Sequence, residues 1–205
     1  MILIIDHGQG NIGSLKNSVR QVGKQYRLCE NYQSMDWESH IDGFILPGVG
    51  SFDQCMIEMR RRKLDKLINT FIDKGIKGMG ICLGMQILCE ESEEGISEKG
   101  LGIIKGQVKK LNTKNDKVPN MGWNKTYCDK AKNNDKLKDI CLEGEYYYVH
   151  SFAVETTNEE NRIGYFYHGG EPTTACIYGN NILGLQFHPE KSQSKGLTLI
   201  KNYFN

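Results

Sequence analysis

The sequence predicts an α/β fold: a central, mostly parallel sheet flanked by helices, with antiparallel strands added in the C-terminal half. Three observations predict it. Short apolar runs alternate with helix-length segments through residues 2–90. The string Gly80-Ile81-Cys82-Leu83-Gly84 lies between an apolar run and a helical segment, the pattern of a strand–turn–helix junction. From residue 105 onward the pattern changes to short strand-like runs separated by turns.

Taken in order, Ile2–Ile5 reads as a short buried strand, followed by a Gly-rich turn from Asp6 to Asn11 and a helix from about Gly13 to Val22. Gln25–Cys29 is a second strand. Gly43–Leu46 is a third, ending at Pro47-Gly48-Val49-Gly50. Phe52–Arg61 and Leu64–Ile72 read as helices, then Ile76–Ile81 as a strand and Leu83–Glu90 as a helix. In such sheets reactive loops collect at the carboxyl ends of strands, where Asp6, Pro47–Gly50 and Cys82 all fall. Lys105–Leu111, Lys125–Cys128, Tyr146–Val149, Arg162–His168, Thr174–Tyr178 and Ile182–Phe187 read as strands of antiparallel hairpins added to the core sheet. Asn112–Lys117 and Asp129–Lys138 read as polar loops. Ser192–Phe204 reads as an amphipathic helix with Leu197, Ile200, Tyr203 and Phe204 on one face. There is no internal repeat and no flexible linker, so a single domain over residues 1–205 is expected.

The chain has 205 residues, enough for one full core. A formal charge of +1 gives nothing that attracts nucleic acid or a membrane surface globally. No apolar stretch approaches the roughly 18 residues of a membrane span, and a cytoplasmic location is expected. The seven cysteines form no C-x-x-C and no ligand-like pairing with histidine, which argues against a metal or a disulfide framework. Cys29, Cys55, Cys89, Cys128, Cys141 and Cys176 read as buried or incidental thiols. Arg60-Arg61-Arg62-Lys63 reads as a solvated helix end, and His40, His150 and His168 as structural.

Cys82 differs by its glycine context. A tight turn there lifts the sulfur above the sheet at a helix N-terminus, where the reactive thiolate is favoured. His188 is a candidate base and Glu190, two residues on, a candidate orienter of its imidazole. An attacking thiolate also needs an oxyanion hole. The Leu83 amide follows the nucleophile directly, and the two glycines of Pro47–Gly50 permit a second amide, at Gly50, to turn inward.

The strings Ile5-Asp6-His7-Gly8-Gln9-Gly10-Asn11, Leu46–Phe52, Gly80–Gln86, Val118-Pro119-Asn120-Met121-Gly122-Trp123-Asn124, Val149–Phe152 and Phe187–Ser192 resemble the class I glutamine amidotransferases, the Cys-His-Glu triad family, over the whole chain. Within it they are most similar to the glutaminase-subunit family of imidazole glycerol phosphate synthases. The resemblance implies a flavodoxin-like amidotransferase domain with no cofactor and no metal. It implies hydrolysis of L-glutamine through a glutamyl thioester on Cys82, with ammonia passed to a synthase partner. By matching position, Gln86, Glu94, Ser151 and Phe152 contact the substrate. Asn11, Met121, Trp123, Tyr147 and Lys191 fall on a face that docks a (β/α)8-barrel cyclase. A flip near Val49–Gly50 is the implied activation switch.

The chain departs from the family pattern at His7, where an aromatic is usual, at Gln9 for a common Met, at Asn120 for a usual His, and in a more polar Gly75–Met79. The triad residues are all retained. Three other readings stay open on the sequence. They are a related amidotransferase feeding another synthase, such as one amidating a surface-sugar precursor; a non-catalytic regulatory subunit; and a free-standing cysteine hydrolase.

Overall fold

The computed structural model describes residues 1–36, 39–95, 97–112, 116–128, 137, 140 and 142–205. Cys141 and most of the loop over residues 129–138 lie outside the described residues, as do residues 113–115 of the preceding polar loop.

Strands β1 (Ile2–Ile5), β2 (Tyr26–Cys29), β3 (Gly43–Leu46), β4 (Lys77–Ile81) and β12 (Ile182–Leu185) form the parallel half of a nine-stranded sheet in the order β2-β1-β3-β4-β12. The sheet continues antiparallel through β11 (Glu171–Gly179), β10 (Arg162–His168), β7 (Asn120–Cys128) and β8 (Gly144–His150). The first strands carry no polar face because both faces are covered. Ile2 and Ile4 pack with Leu15 and Val19 of α1 (Ile12–Gln21) and with Leu199 and Ile200 of α5 (Gln193–Tyr203). Leu3 and Ile5 face the other core, with Met56 and Met59 of α2 (Phe52–Arg61) and Leu67, Ile68 and Phe71 of α3 (Leu64–Asp73).

The expected helix after Cys82 is much shorter than the sequence suggests. α4 spans only Leu83–Gln86. The reason is tertiary: the carbonyls of Ile87, Leu88, Cys89 and Glu90 accept hydrogen bonds from Leu101, Ile103, Gly102 and Gly100 rather than continuing a helix. The acidic run after it holds β5 (Glu91–Ser92), which joins β6 (Gly106–Lys110) and β9 (Phe152–Thr156) in a separate three-stranded sheet. β6 is therefore not an addition to the core sheet, and β9 was not foreseen. In α5, Leu199 is buried and Leu197 only half-buried, so the apolar face is turned slightly from the expected one. The basic run is not simply solvated. Arg60 bonds the Lys99 carbonyl and pairs with Glu98, and Arg62 reaches Glu58 at 2.8 Å and the Asp6 carbonyl at 3.3 Å. No helix among the described residues is long and apolar enough to cross a membrane.

Candidate active site

β4 ends at Cys82, whose backbone adopts φ 52° and ψ −109°. Few L-residues occupy that region. Two glycines make the turn possible. A side chain at Gly80 would come within 2.6 Å of the Gly84 carbonyl, and one at Gly84 would run into the Leu46 carbonyl. The Cys82 amide is tied to Leu185 of β12 at 2.7 Å, and its carbonyl accepts from Met85 and Gln86. The nucleophile candidate is thus fixed at the carboxyl end of the parallel strands.

The chain after β12 returns beside it. The His188 amide donates to Tyr147 of β8 at 2.9 Å, and the Ser192 hydroxyl donates to the His188 carbonyl at 2.6 Å. Between these anchors His188 Nδ1 lies 2.8 Å from Glu190 Oε1, with both side chains almost wholly buried. Burial opposes the imidazolium of His188, but the Cys82 sulfur beside it and the hydrogen-bonded carboxylate of Glu190 outweigh it and raise its pKa to about 10. The structure brings Cys82, His188 and Glu190 close together.

A cavity of about 300 Å³ opens over the sulfur and is lined by the predicted Gly50, Leu83, Gln86, Glu94, Ser151 and Phe152. Gly50 has φ 113°, a conformation that favours glycine. The amides of Val49, Gly50 and Leu83 donate no hydrogen bond among the described residues. Glu94 accepts from the Phe52 amide at 3.1 Å, and burial raises its pKa. It is part of the cavity wall, not a solvated helix end.

Sequence reasoning missed several residues here. His150, read as structural, lines the cavity. Its Nε2 lies 3.1 Å from the Asn120 amide nitrogen and its Nδ1 is 2.8 Å from the Phe152 carbonyl. Nε2 therefore accepts and Nδ1 donates, and burial pushes the pKa down to about 4, keeping the ring neutral. Asn120, noted only as a departure, sets that tautomer. Gln186 is fully buried behind Cys82. The one available signal was its spacing of two from His188, which puts both on one face of an extended segment. His7, a second departure, places Nε2 2.7 Å from the Pro47 carbonyl, beneath the glycine loop.

The expected docking residues are accessible. Met121 is 63% exposed and Trp123 47% exposed, so Trp123 is not a core residue. Trp123 meets Tyr147 edge-on with ring centroids 6.2 Å apart, and Lys191 Nζ sits 5.7 Å from the Tyr147 ring centre. Asn11 is exposed, and its side chain accepts from Ser14 at the start of α1. A larger cleft of about 410 Å³ between β6, β9, β10 and β11 is lined by no cysteine or serine, and its charges are largely spent on one another, as in Lys109–Glu155 at 2.7 Å and Arg162–Glu159 at 3.2 Å. Among the described residues no His, Cys, Asp or Glu cluster could hold a metal ion.

Residues 3–205 match the family model described as glutamine amidotransferase class-I. Similar curated proteins are named imidazole glycerol phosphate synthase subunit HisH. The one from Bacillus subtilis is 37% identical, covering 99% of this chain and 95% of the relative. The one from Oceanobacillus iheyensis is 40% identical, with 99% and 98% covered. Among solved structures, PurLQS from Thermotoga maritima superposes with a TM-score of 0.76 at 18% identity, covering 100% of this chain and 97% of that one. A structure described as a glutamine amidotransferase gives 0.71 at 15% identity, covering 99% and 96%.

Proposed function

The chain belongs to the class I glutamine amidotransferase family, among its HisH subunits, and on that footing we propose that it hydrolyses L-glutamine with Cys82, His188 and Glu190 and hands the ammonia to a synthase partner. The observation that carries the residue assignment is the buried 2.8 Å pair of His188 and Glu190 beside a cysteine on a strained turn.

In the proposed reaction the Cys82 thiolate attacks the side-chain amide carbon of glutamine. The amides of Leu83 and Gly50 receive the oxyanion. His188 passes a proton to the nitrogen as the C–N bond breaks, and ammonia leaves a glutamyl thioester. His188 then takes a proton from water, which attacks the thioester and releases glutamate and the Cys82 thiolate, with the imidazolium restored. Glu190 keeps the imidazole oriented and offsets its positive charge. Gln86, Glu94 and the Ser151–Phe152 backbone hold the amino-acid end of the substrate. A carboxylate at Glu94 suits its α-ammonium.

The partner is the cyclase subunit of imidazole glycerol phosphate synthase, a (β/α)8-barrel that uses the ammonia to make imidazole glycerol phosphate and its aminoimidazole carboxamide ribotide co-product for histidine biosynthesis. It docks on Met121, Trp123, Tyr147, Lys191 and Asn11, a mix of aromatic, Met and cationic groups suited to an interface core. The test is glutamate release by the purified chain, with and without such a cyclase and its nucleotide ligand. Strong stimulation, lost in Cys82→Ser, is the expected result. Labelling of Cys82 by a glutamine-analogue electrophile with no stimulation would point to a different synthase. High activity without any partner would overturn the subunit reading.

A further inference from the structure

Gln186 follows β12, and its amide is pinned to the Ala175 carbonyl at 2.8 Å. Its side chain is enclosed, and the network around it leaves one orientation. The Phe152 carbonyl can only accept, so Gln86 turns its amide nitrogen to it at 2.9 Å. The same nitrogen lies 3.3 Å from Gln186 Oε1. That oxygen is therefore the acceptor, and the Gln186 nitrogen is left facing Cys82 Sγ at 3.7 Å. Besides the neighbouring His188 ring, the sulfur contacts the Val149 carbonyl at 3.8 Å, to which only a protonated thiol can donate.

We propose that Gln186 is a fourth catalytic residue: its carboxamide donates a hydrogen bond to the Cys82 sulfur, favours the ionised form over the thiol held by Val149, and aims the lone pair into the cavity. A bond from a neutral donor strengthens when its acceptor is charged, so ionisation exchanges a weak contact for a stronger one. As the sulfur's electron pair forms the S–C bond of the thioester, its negative charge passes to the oxyanion and leaves with collapse of the intermediate. The N–H of Gln186 then loses its charged acceptor, and it regains it when water cleaves the thioester. Gln186 thus stabilises the free nucleophile at each end of the cycle. The turnover part of this proposal rests on the glutaminase reading; the effect on the sulfur does not.

The other ionisable groups around the sulfur are His188 with Glu190 after β12, His150 at the end of β8, and Glu94 after β5. Substitution of Gln186 leaves all four in place. Gln186→Met keeps the length and removes the donor, and Gln186→Leu is a second version should the first misfold. The primary readout is the rate of iodoacetamide labelling at Cys82, followed by peptide mass spectrometry against pH. The expected result is labelling about tenfold slower at pH 7, with the profile displaced to higher pH and the wild-type rate recovered at its alkaline plateau. In the partner-stimulated assay kcat falls about tenfold while KM for glutamine stays near its wild-type value. A labelling profile that superimposes on the wild type would overturn the proposal, as would an equal loss at every pH. Absence of glutamine turnover in the wild type would instead sink the functional reading, and the labelling profile would still decide the role of Gln186.

Discussion

An imidazole as deep as His188 would ordinarily lose its charge to burial, and here the Cys82 sulfur and the Glu190 carboxylate beside it restore it. The folded value, about 10, lies above the ordinary 6.5, so the protonated ring stabilises the fold fully below about pH 6.5 and that contribution disappears as pH rises through about 10. Glu190→Gln removes one of the two supports. The stability gap between wild type and Glu190→Gln is expected to be widest near pH 6 and to narrow toward pH 10, read from urea midpoints. The same variant lowers kcat by about 10²–10⁴. Cys82, His188 and Glu190 stood out in the sequence as candidates because each sits in a short string whose neighbours explain it. Asn120, His150 and Gln186 did not, because their roles depend on partners brought in from other strands. Nothing near Asn120 in the sequence announces that its amide will meet a histidine 30 positions away.

At the scale of elements, periodicity located the helices and most strands, while tertiary hydrogen bonds decided where some of them stop. α4 ends at Gln86 because residues 100–103 take the next carbonyls, a fact that no local propensity encodes. β5 has two residues, too few for any alternation to register. β7 runs from Asn120, well before its expected start at Lys125, because β8 offers pairing as far as Asn120↔His150. Glycines between elements show how little room the nucleophile turn has. Gly48 approaches Leu83, and Gly84 lies against the backbone of Leu46. Gly84→Ala must therefore push β3 away from α4. It is expected to destabilise the chain by more than ~2 kcal/mol in denaturant titrations and to displace Cys82, with a loss of thiol labelling that Gly23→Ala does not share. Gly23 has open space around its Cβ position, and its φ of 78° makes any cost there purely local.

Over the whole molecule, the parallel and antiparallel halves of the sheet meet at the candidate site. The parallel half supplies Cys82 and the glycine loop, and the antiparallel half supplies β7 and β8. His188 stands where they join, its amide bonded to the carbonyl of Tyr147. That tyrosine also touches Trp123 and Lys191, so the exposed aromatic patch is one hydrogen bond from the proposed base. Trp123→Ala is expected to change folding stability by less than ~0.5 kcal/mol, since the ring is half open, yet to weaken cyclase binding about 30-fold by calorimetric titration. The backbone at Cys82 also bears on the history of the chain. A left-handed φ with ψ near −109° disfavours every side chain there by about 1–3 kcal/mol, and glycine alone escapes the penalty. A lineage selected only to stay folded would drift toward glycine at this codon. This chain instead carries cysteine there, so the cost of the turn falls on the residue whose sulfur lines the cavity.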